Sequence, residues 1–282
     1  KLNYAWRFTV HASYKERYGE MTDLYDRPYQ TDYRNSVWNC GILPVYRQQL
    51  YSVYGEYKST AREFFATVNL THNREWYNRI YEQRIENGQV QRVSLPLSNH
   101  GSGYTVKSTL SKGFYDLGLK TSLMALLNIS KAEQISGGQR LPYQYRLMRL
   151  EPKVIWTPNR HWETSYQTDI RYGGSKIGER TRLAPLWNVI QQVQLSYIFS
   201  PIEASLSVDH YHNDVNEDQS VNAVFADFSV SWKSGRWQIT ATATNLFDKR
   251  TYAYTRYASL ESYTSWVRIR PREFLVAIRY RL

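Results

Sequence analysis

Apolar and polar residues alternate along most of this chain with a period of two. The last segment is the plainest case: Phe274, Val276, Ile278, Tyr280 and Leu282 interleave with Leu275, Ala277, Arg279 and Arg281. Alternate residues of a strand point to opposite faces, so the pattern predicts a strand with one apolar face and one face that turns charged. The alternation recurs from the first residues onward. Trp6, Phe8, Val10 and Ala12 oppose Arg7, Thr9, His11 and Ser13, and Phe64, Ala66, Val68 and Leu70 oppose Thr67, Asn69 and Thr71. Trp162, Thr164, Tyr166, Thr168, Ile170 and Tyr172 oppose Glu163, Ser165, Gln167, Asp169 and Arg171. Further strands are predicted near 49–58, 103–112, 117–129, 187–199, 202–209, 224–232 and 237–244, with another running to Trp156, about twelve in all.

The links between them alternate in length. Short turns are predicted at Ser59–Arg62, Lys112–Asp116, Pro158–His161, Ser200–Pro201 and Lys233–Arg236. Long links are predicted at about 18–46, 74–102, 131–142, 174–185, 213–221 and 249–270. Short turns at one end and long loops at the other are the layout of an antiparallel transmembrane β-barrel. A soluble sandwich is the other architecture the alternation permits. The long apolar faces, ending in Trp156, Trp162, Trp187, Phe199, Trp232 and Trp237, favour the barrel. Pro152 falls on the apolar face of its strand and removes a ladder donor, which predicts a bulge or break there.

Composition agrees. The chain has 282 residues with 42% hydrophobic content and contains no long apolar run, so membrane-spanning helices are excluded while a barrel is not. Its 25 Tyr and 9 Trp suit the aromatic girdles of a membrane interface. Cys40 is the single cysteine, which excludes an intramolecular disulfide and a thiolate metal cluster. The net charge of +11 is scattered through strands and loops, not gathered as a nucleic-acid patch, and no nucleic-acid partner is expected. No nucleophile elbow, phosphate loop or zinc-protease motif is present, and no enzymatic activity is expected. His210 and His212 would share a strand face beside the acidic run 213–218, where a loosely bound calcium ion is the one metal the sequence suggests; no other cofactor is expected.

One segment carries a family resemblance. Asn245-Leu246-Phe247-Asp248 with Tyr252 ends the penultimate strand, and Arg270-Pro271-Arg272-Glu273 leads into the terminal one. This arrangement resembles the C-terminal end of TonB-dependent outer-membrane receptors, over about residues 237–282. The family's last residue is usually aromatic; Leu282 stands there, with Tyr280 two residues earlier. The resemblance implies a location in the Gram-negative cell outer membrane. It also implies that residues 1–282 form part of a single barrel domain without a plug, as the C-terminal half of a roughly 22-stranded barrel. The implied partners are outer-membrane lipid, the remainder of the receptor (plug and N-terminal strands) and TonB through that plug, with a surface lipoprotein as a further candidate. The implied function is TonB-driven uptake of a solute. The alternatives are a stand-alone twelve-stranded barrel, acting as a passive channel or structural protein, and a soluble β-sheet binding module.

On that reading Arg149, Glu151, Lys153, Glu163, Asp169, Arg171 and Asp227 are expected to face the lumen. Loop aromatics are candidates for recognising the solute, or for extending the barrel wall above the membrane: Trp38, Trp76, Tyr77, Tyr254, Tyr257 and Trp266.

Overall fold

The computed structural model describes residues 5–86, 89–178, 181–214, 219–257 and 262–281. Twelve strands form one continuous antiparallel meander, each hydrogen-bonded to the next. They are β1 (Trp6–Tyr18), β2 (Val45–Ser59), β3 (Phe64–Tyr77), β4 (Asn99–Phe114), β5 (Leu119–Ser136), β6 (Gln139–Asn159), β7 (Trp162–Ile177), β8 (Thr181–Phe199), β9 (Ile202–Asp214), β10 (Ser220–Ser234), β11 (Trp237–Thr244) and β12 (Glu273–Tyr280). All twelve coincide with predicted strands. Among the described residues β1 pairs only with β2, and β12 only with β11, so the wall has two free edges.

Register carries the apolar face unbroken from strand to strand. Val10, Val53, Leu70, Val106, Leu127, Met148, Tyr172 and Trp187 are successive partners from β1 to β8. Phe274, Ala243, Phe228, Leu206 and Leu195 continue the face from β12 back to β8. The other face is polar, as in the row Glu163, Ser196, Ser205, Ser229 and Thr242. A one-residue slip would swap the faces, so register and face specify one another.

Burial is reversed relative to a soluble core. The large apolar side chains of the wall are open: Val10 is 77% exposed, Phe8 57% and Trp237 50%. Apart from Leu186 of β8 and Ile135 of β5, its buried side chains are small or polar, among them Ser175, Asn213, Ala223 and Ser231. Cross-strand aromatic pairs mark the short-turn end of the apolar face: Trp6–Tyr57, Trp162–Tyr197 and Trp237–Tyr280, with ring centroids 4.6, 4.6 and 4.7 Å apart. Tyr172–Trp187 at 4.5 Å marks the other end. Trp162 and Tyr172 bound the apolar face of β7 ten residues apart, about 33 Å along the strand. A tilt of about 35–45° reduces this to roughly 23–27 Å, the height of a transmembrane apolar band.

At the short-turn end the links are tight. Gly118, with φ +59°, closes the β4–β5 turn, where a Cβ would stand 2.1 Å from the Thr157 carbonyl oxygen. At the opposite end two expected long links are strand instead. β5 and β6 run on to a two-residue turn, Gly137-Gly138, with φ of +57° and +76°. β7 and β8 likewise extend to Ile177 and Thr181. The apolar alternation fades in these segments, but the backbone ladder continues with polar side chains.

The link between β1 and β2 contributes a short strand, Asn35–Trp38, and the link between β3 and β4 a hairpin, Ile80–Glu86 with Gln89–Leu95. Asn35–Trp38 pairs in parallel with the hairpin, whose Glu82 meets Ile135 of β5. These pieces form a cap with an ordinary core: Ile80 is fully buried, with Val93 and Ile135 nearly so. A second hairpin, Thr251–Tyr257 with Ser262–Arg268, rises between β11 and β12.

Pro152 makes neither a bulge nor a break. Its register to Leu123 is continuous, and the β6–β7 register is the same on both sides of it. Only the rungs of Glu151 and Pro152 to β7 are missing, the local cost of the absent N–H. The irregularities fall elsewhere, between Trp156 and Asn159 and between Gly173 and Ser175.

Candidate solute-binding cleft and lumen cluster

The polar face of the upper wall and the cap enclose a cleft of about 790 Å³, within the range of small-molecule sites. Asn99, Gln134 and Tyr143 line it from β4, β5 and β6, Tyr77 from β3, and Arg79, Tyr81 and Arg92 from the cap. The cap is held by polar ties. The Arg79 guanidinium donates to Asp23 at 2.9 Å, and Cys40 N–H donates to Ser94 Oγ at 3.0 Å. The buried Glu82 carboxylate accepts two bonds from Arg84, at 2.9 and 2.7 Å, and one from Gly138 N–H at the tip of β5–β6.

Two donors in the cleft stand out. Arg92 lies over the Tyr81 ring, 3.7 Å from its centroid, and has no carboxylate partner among the described residues. Gln134 is 9% exposed, and its Nε2 has no hydrogen-bond partner among the described residues. Burial pushes the Tyr81 phenol above its usual range, so it stays protonated. Glu75 organises the wall beneath, accepting from Tyr46, Gln48, Asn73 and Tyr77 at 2.7–3.0 Å. The cleft thus offers flat rings and unspent donors to an acceptor-rich solute.

The expected recognition aromatics do not form one site. Tyr77 lines the cleft, whereas its neighbour Trp76 falls on the opposite face of β3, because adjacent strand residues alternate. Trp38 is in the cap, its indole N–H donating to the Asp26 carbonyl at 2.8 Å. Trp266 is on the second hairpin and 71% exposed. The side chains of Tyr254 and Tyr257 lie outside the described residues. Sequence reading did not single out Arg92 and Gln134; a cation and an amide in polar segments carry no periodic signal.

All seven expected lumen residues fall on the polar face by register. Four converge. Arg149 donates bidentately to Asp169 at 2.9 and 2.9 Å, Arg171 reaches the same carboxylate at 2.6 Å, and Glu151 contacts Arg149. Lys153 and Glu163 stand apart from this cluster. Asp227 instead accepts from the Asn245 N–H at 2.7 Å.

That bond belongs to a clasp. Asn245 is 7% exposed at φ +51°, a left-handed conformation that Asn tolerates. Its Nδ2 donates to the carbonyls of Lys249 and Arg270, both at 2.9 Å, and its Oδ1 accepts from Lys249 N–H at 2.9 Å. Asp248 accepts from Arg250 and from Arg272 N–H, and these two hold its carboxyl below the usual range. Leu246 N–H donates to Ala226, and Phe247 is exposed. Tyr252 accepts from Asn213 at 2.7 Å and packs edge-on against Tyr211. The family-like residues thus pin both ends of the second hairpin to the wall.

His210 and His212 make separate contacts, to Gln191 at 3.3 Å and to Asn222 at 2.9 Å. Among the described residues no three His, Cys, Asp or Glu groups are placed to share a metal. Residues 215–218 of the acidic run lie outside the described residues.

No family model and no curated protein matches the chain. Among solved structures it is similar to the translocator domain of autotransporter NalP from Neisseria meningitidis, at 10% identity and TM-score 0.30, over 99% of this chain and 89% of that one. It is also similar to the ferric yersiniabactin uptake receptor FyuA from Yersinia pestis, at 8% identity and TM-score 0.40. That match covers 98% of this chain, which spans about half (51%) of the receptor.

Proposed function

We propose that this chain is barrel wall and outer cap of a Gram-negative outer-membrane receptor, and that a solute captured in the cleft passes the barrel under TonB drive. The observation that carries the membrane part is the reversed burial: a continuous apolar face, open along twelve strands and bounded by aromatic pairs. In water that surface would be costly at roughly 25 cal/mol per Å²; in hydrocarbon it is at home. The cleft at the long-link end supports capture, and the Asn245 clasp supports the receptor-like ending.

The free edges bear on which barrel this is. β12 has eight residues, about half of whose N–H and C=O groups point away from β11. Each such group left unpaired in hydrocarbon costs several kcal/mol. Both edges must therefore be paired in a bilayer. In the receptor reading the strands that pair them are not among these twelve. A second reading, a stand-alone passive barrel, closes β1 directly on β12; the uninterrupted meander favours it equally.

Cysteine crosslinking in lipid separates the two. In a Cys40→Ser background, Val10→Cys and Val276→Cys sit mid-strand on the two edges. Efficient disulfide formation across β1 and β12 selects the closed twelve-strand barrel. The receptor reading expects none, and expects uptake to stop in cells depleted of TonB.

A further inference from the structure

Moving up the outward face from β3 to β7, three rows follow one another about two residues apart. The lowest is aliphatic: Leu70, Val106 and Leu127. The next is aromatic: Tyr51, His72 and Tyr104 are partners, the His72 ring stacking on Tyr104 at 4.3 Å, and the row runs on through Ile129 to Arg146. The row above it is Arg74, Ser102, Lys131, Gln144 and Lys176. Its register continues to Arg182 on β8. Hydrocarbon, interface and headgroup depths of a bilayer occur in that order.

Four cations of this face are uncompensated among the described residues. Among the described residues, none of Arg74, Lys131, Arg146 and Lys176 has a carboxylate within ion-pair distance. The acid nearest in register on the same face, Glu133, is engaged by Arg140 at 3.0 Å. Glu75, next to Arg74 in sequence, points to the opposite face, where it is saturated by four donors. Between Arg146 and Lys176 the wall opens into a cleft of about 240 Å³, floored by Tyr172, Gly174 and Pro185. In that floor Gly174 and Pro185 are closely packed, and a Cβ at Gly174 would press on Pro185 at 3.2–3.4 Å.

We propose that this face is a binding site for the phosphorylated headgroup of a lipid in the loop-side leaflet. Arg146 and Lys176 hold a phosphate at the cleft, Arg74 and Lys131 extend the site along the rim, and the acyl chains lie against the rows beneath. The proposal rests on the membrane reading given above. The alternation of cation and ring makes the ligand a lipid and not a free anion: a soluble phosphate would use the charges and leave the apolar rows without a role.

The test uses the chain inserted in phosphatidylcholine nanodiscs doped with diphosphorylated lipid A or its dephosphorylated form, with retained lipid counted by native mass spectrometry. Lys131→Gln/Arg146→Gln/Lys176→Gln removes three charges from the outward face. Lys107→Gln/Lys120→Gln/Lys153→Gln removes three from the inward face as a control. A cation at a membrane surface contributes about fivefold in lipid affinity, so the outward triple variant is expected to lose tenfold or more of the phosphorylated lipid while the inward one retains it. Retention by the outward variant, equal loss in both, or no preference for the phosphorylated form overturns the site. Displacement by inorganic phosphate at the same concentration as the lipid overturns the lipid as its source. Failure of the unmodified chain to enter any nanodisc overturns the membrane reading itself, a result visible before lipid is counted.

Discussion

The wall and the cap bury opposite kinds of side chain. In the cap, Ile80 and Val93 are shielded, as is Ile135 of β5 where the cap meets it, and the shielded Glu82 carboxylate is held by Arg84 and the Gly138 N–H, as in any protein in water. In the wall, Phe8, Val10 and Val276 are open while Ser231 and Asn213 are shielded. The two parts of one chain therefore follow opposite burial rules. The backbone requirement is the same in both, since every N–H and C=O needs a partner. What changes is which side of the sheet the apolar residues must take. The cap is stabilised by its own core, and the wall only when something apolar covers its outer face.

The largest effect is expected in the cap. Ile80→Ala, at a site with no exposure, should cost about 2–5 kcal/mol. It should open residues 80–95 to limited proteolysis and leave bilayer insertion unchanged; a loss of insertion would mean that cap and wall are one cooperative unit. In the wall the sign of the environment is tested by Leu206→Arg, expected to cost roughly 2–4 kcal/mol near mid-membrane depth in a urea titration in lipid. Ser205→Arg, one residue away on the polar face, should cost far less. Equal costs would refute the face assignment.

At the junction, Asn245→Ala removes three side-chain hydrogen bonds and places Ala at φ +51°. About 2–3 kcal/mol of local stability should be lost, read as faster amide exchange over 245–272 with β1–β10 unaffected. The smallest effect concerns Asp248, whose carboxyl is held low by Arg250 and the Arg272 N–H. A depressed acid stabilises above its unfolded pKa, about 4, and loses that contribution as pH falls through the folded value. Amide exchange at Arg272 should therefore speed up below about pH 4, and Asp248→Asn should flatten that dependence.

The wall was legible because period-two alternation is the direct image of a two-faced strand. Trp162 to Tyr172 reads as one outward row in the sequence and is one in the structure. The cap was not legible. Residues 80–95 alternate weakly, and their burial depends on meeting Ile135, more than forty residues away in sequence. The same holds for the cleft. Arg92 and Gln134 matter because of what the fold sets beside them, and no local pattern announces it. Pro152 shows the limit of a local rule: a missing N–H predicts a bulge or break, yet neighbours on both sides hold the register and confine the loss to two rungs.

The clasp at Asn245 separates two kinds of change that a chain like this undergoes. Because the carbonyls of Lys249 and Arg270 are tied to one side chain, the two stems of the hairpin 251–268 leave the wall at a fixed spacing whatever lies between them. Its length and composition can vary without moving β12 by a residue. The second hairpin is in this sense an exchangeable cassette, mounted on a strand whose register is insulated from it.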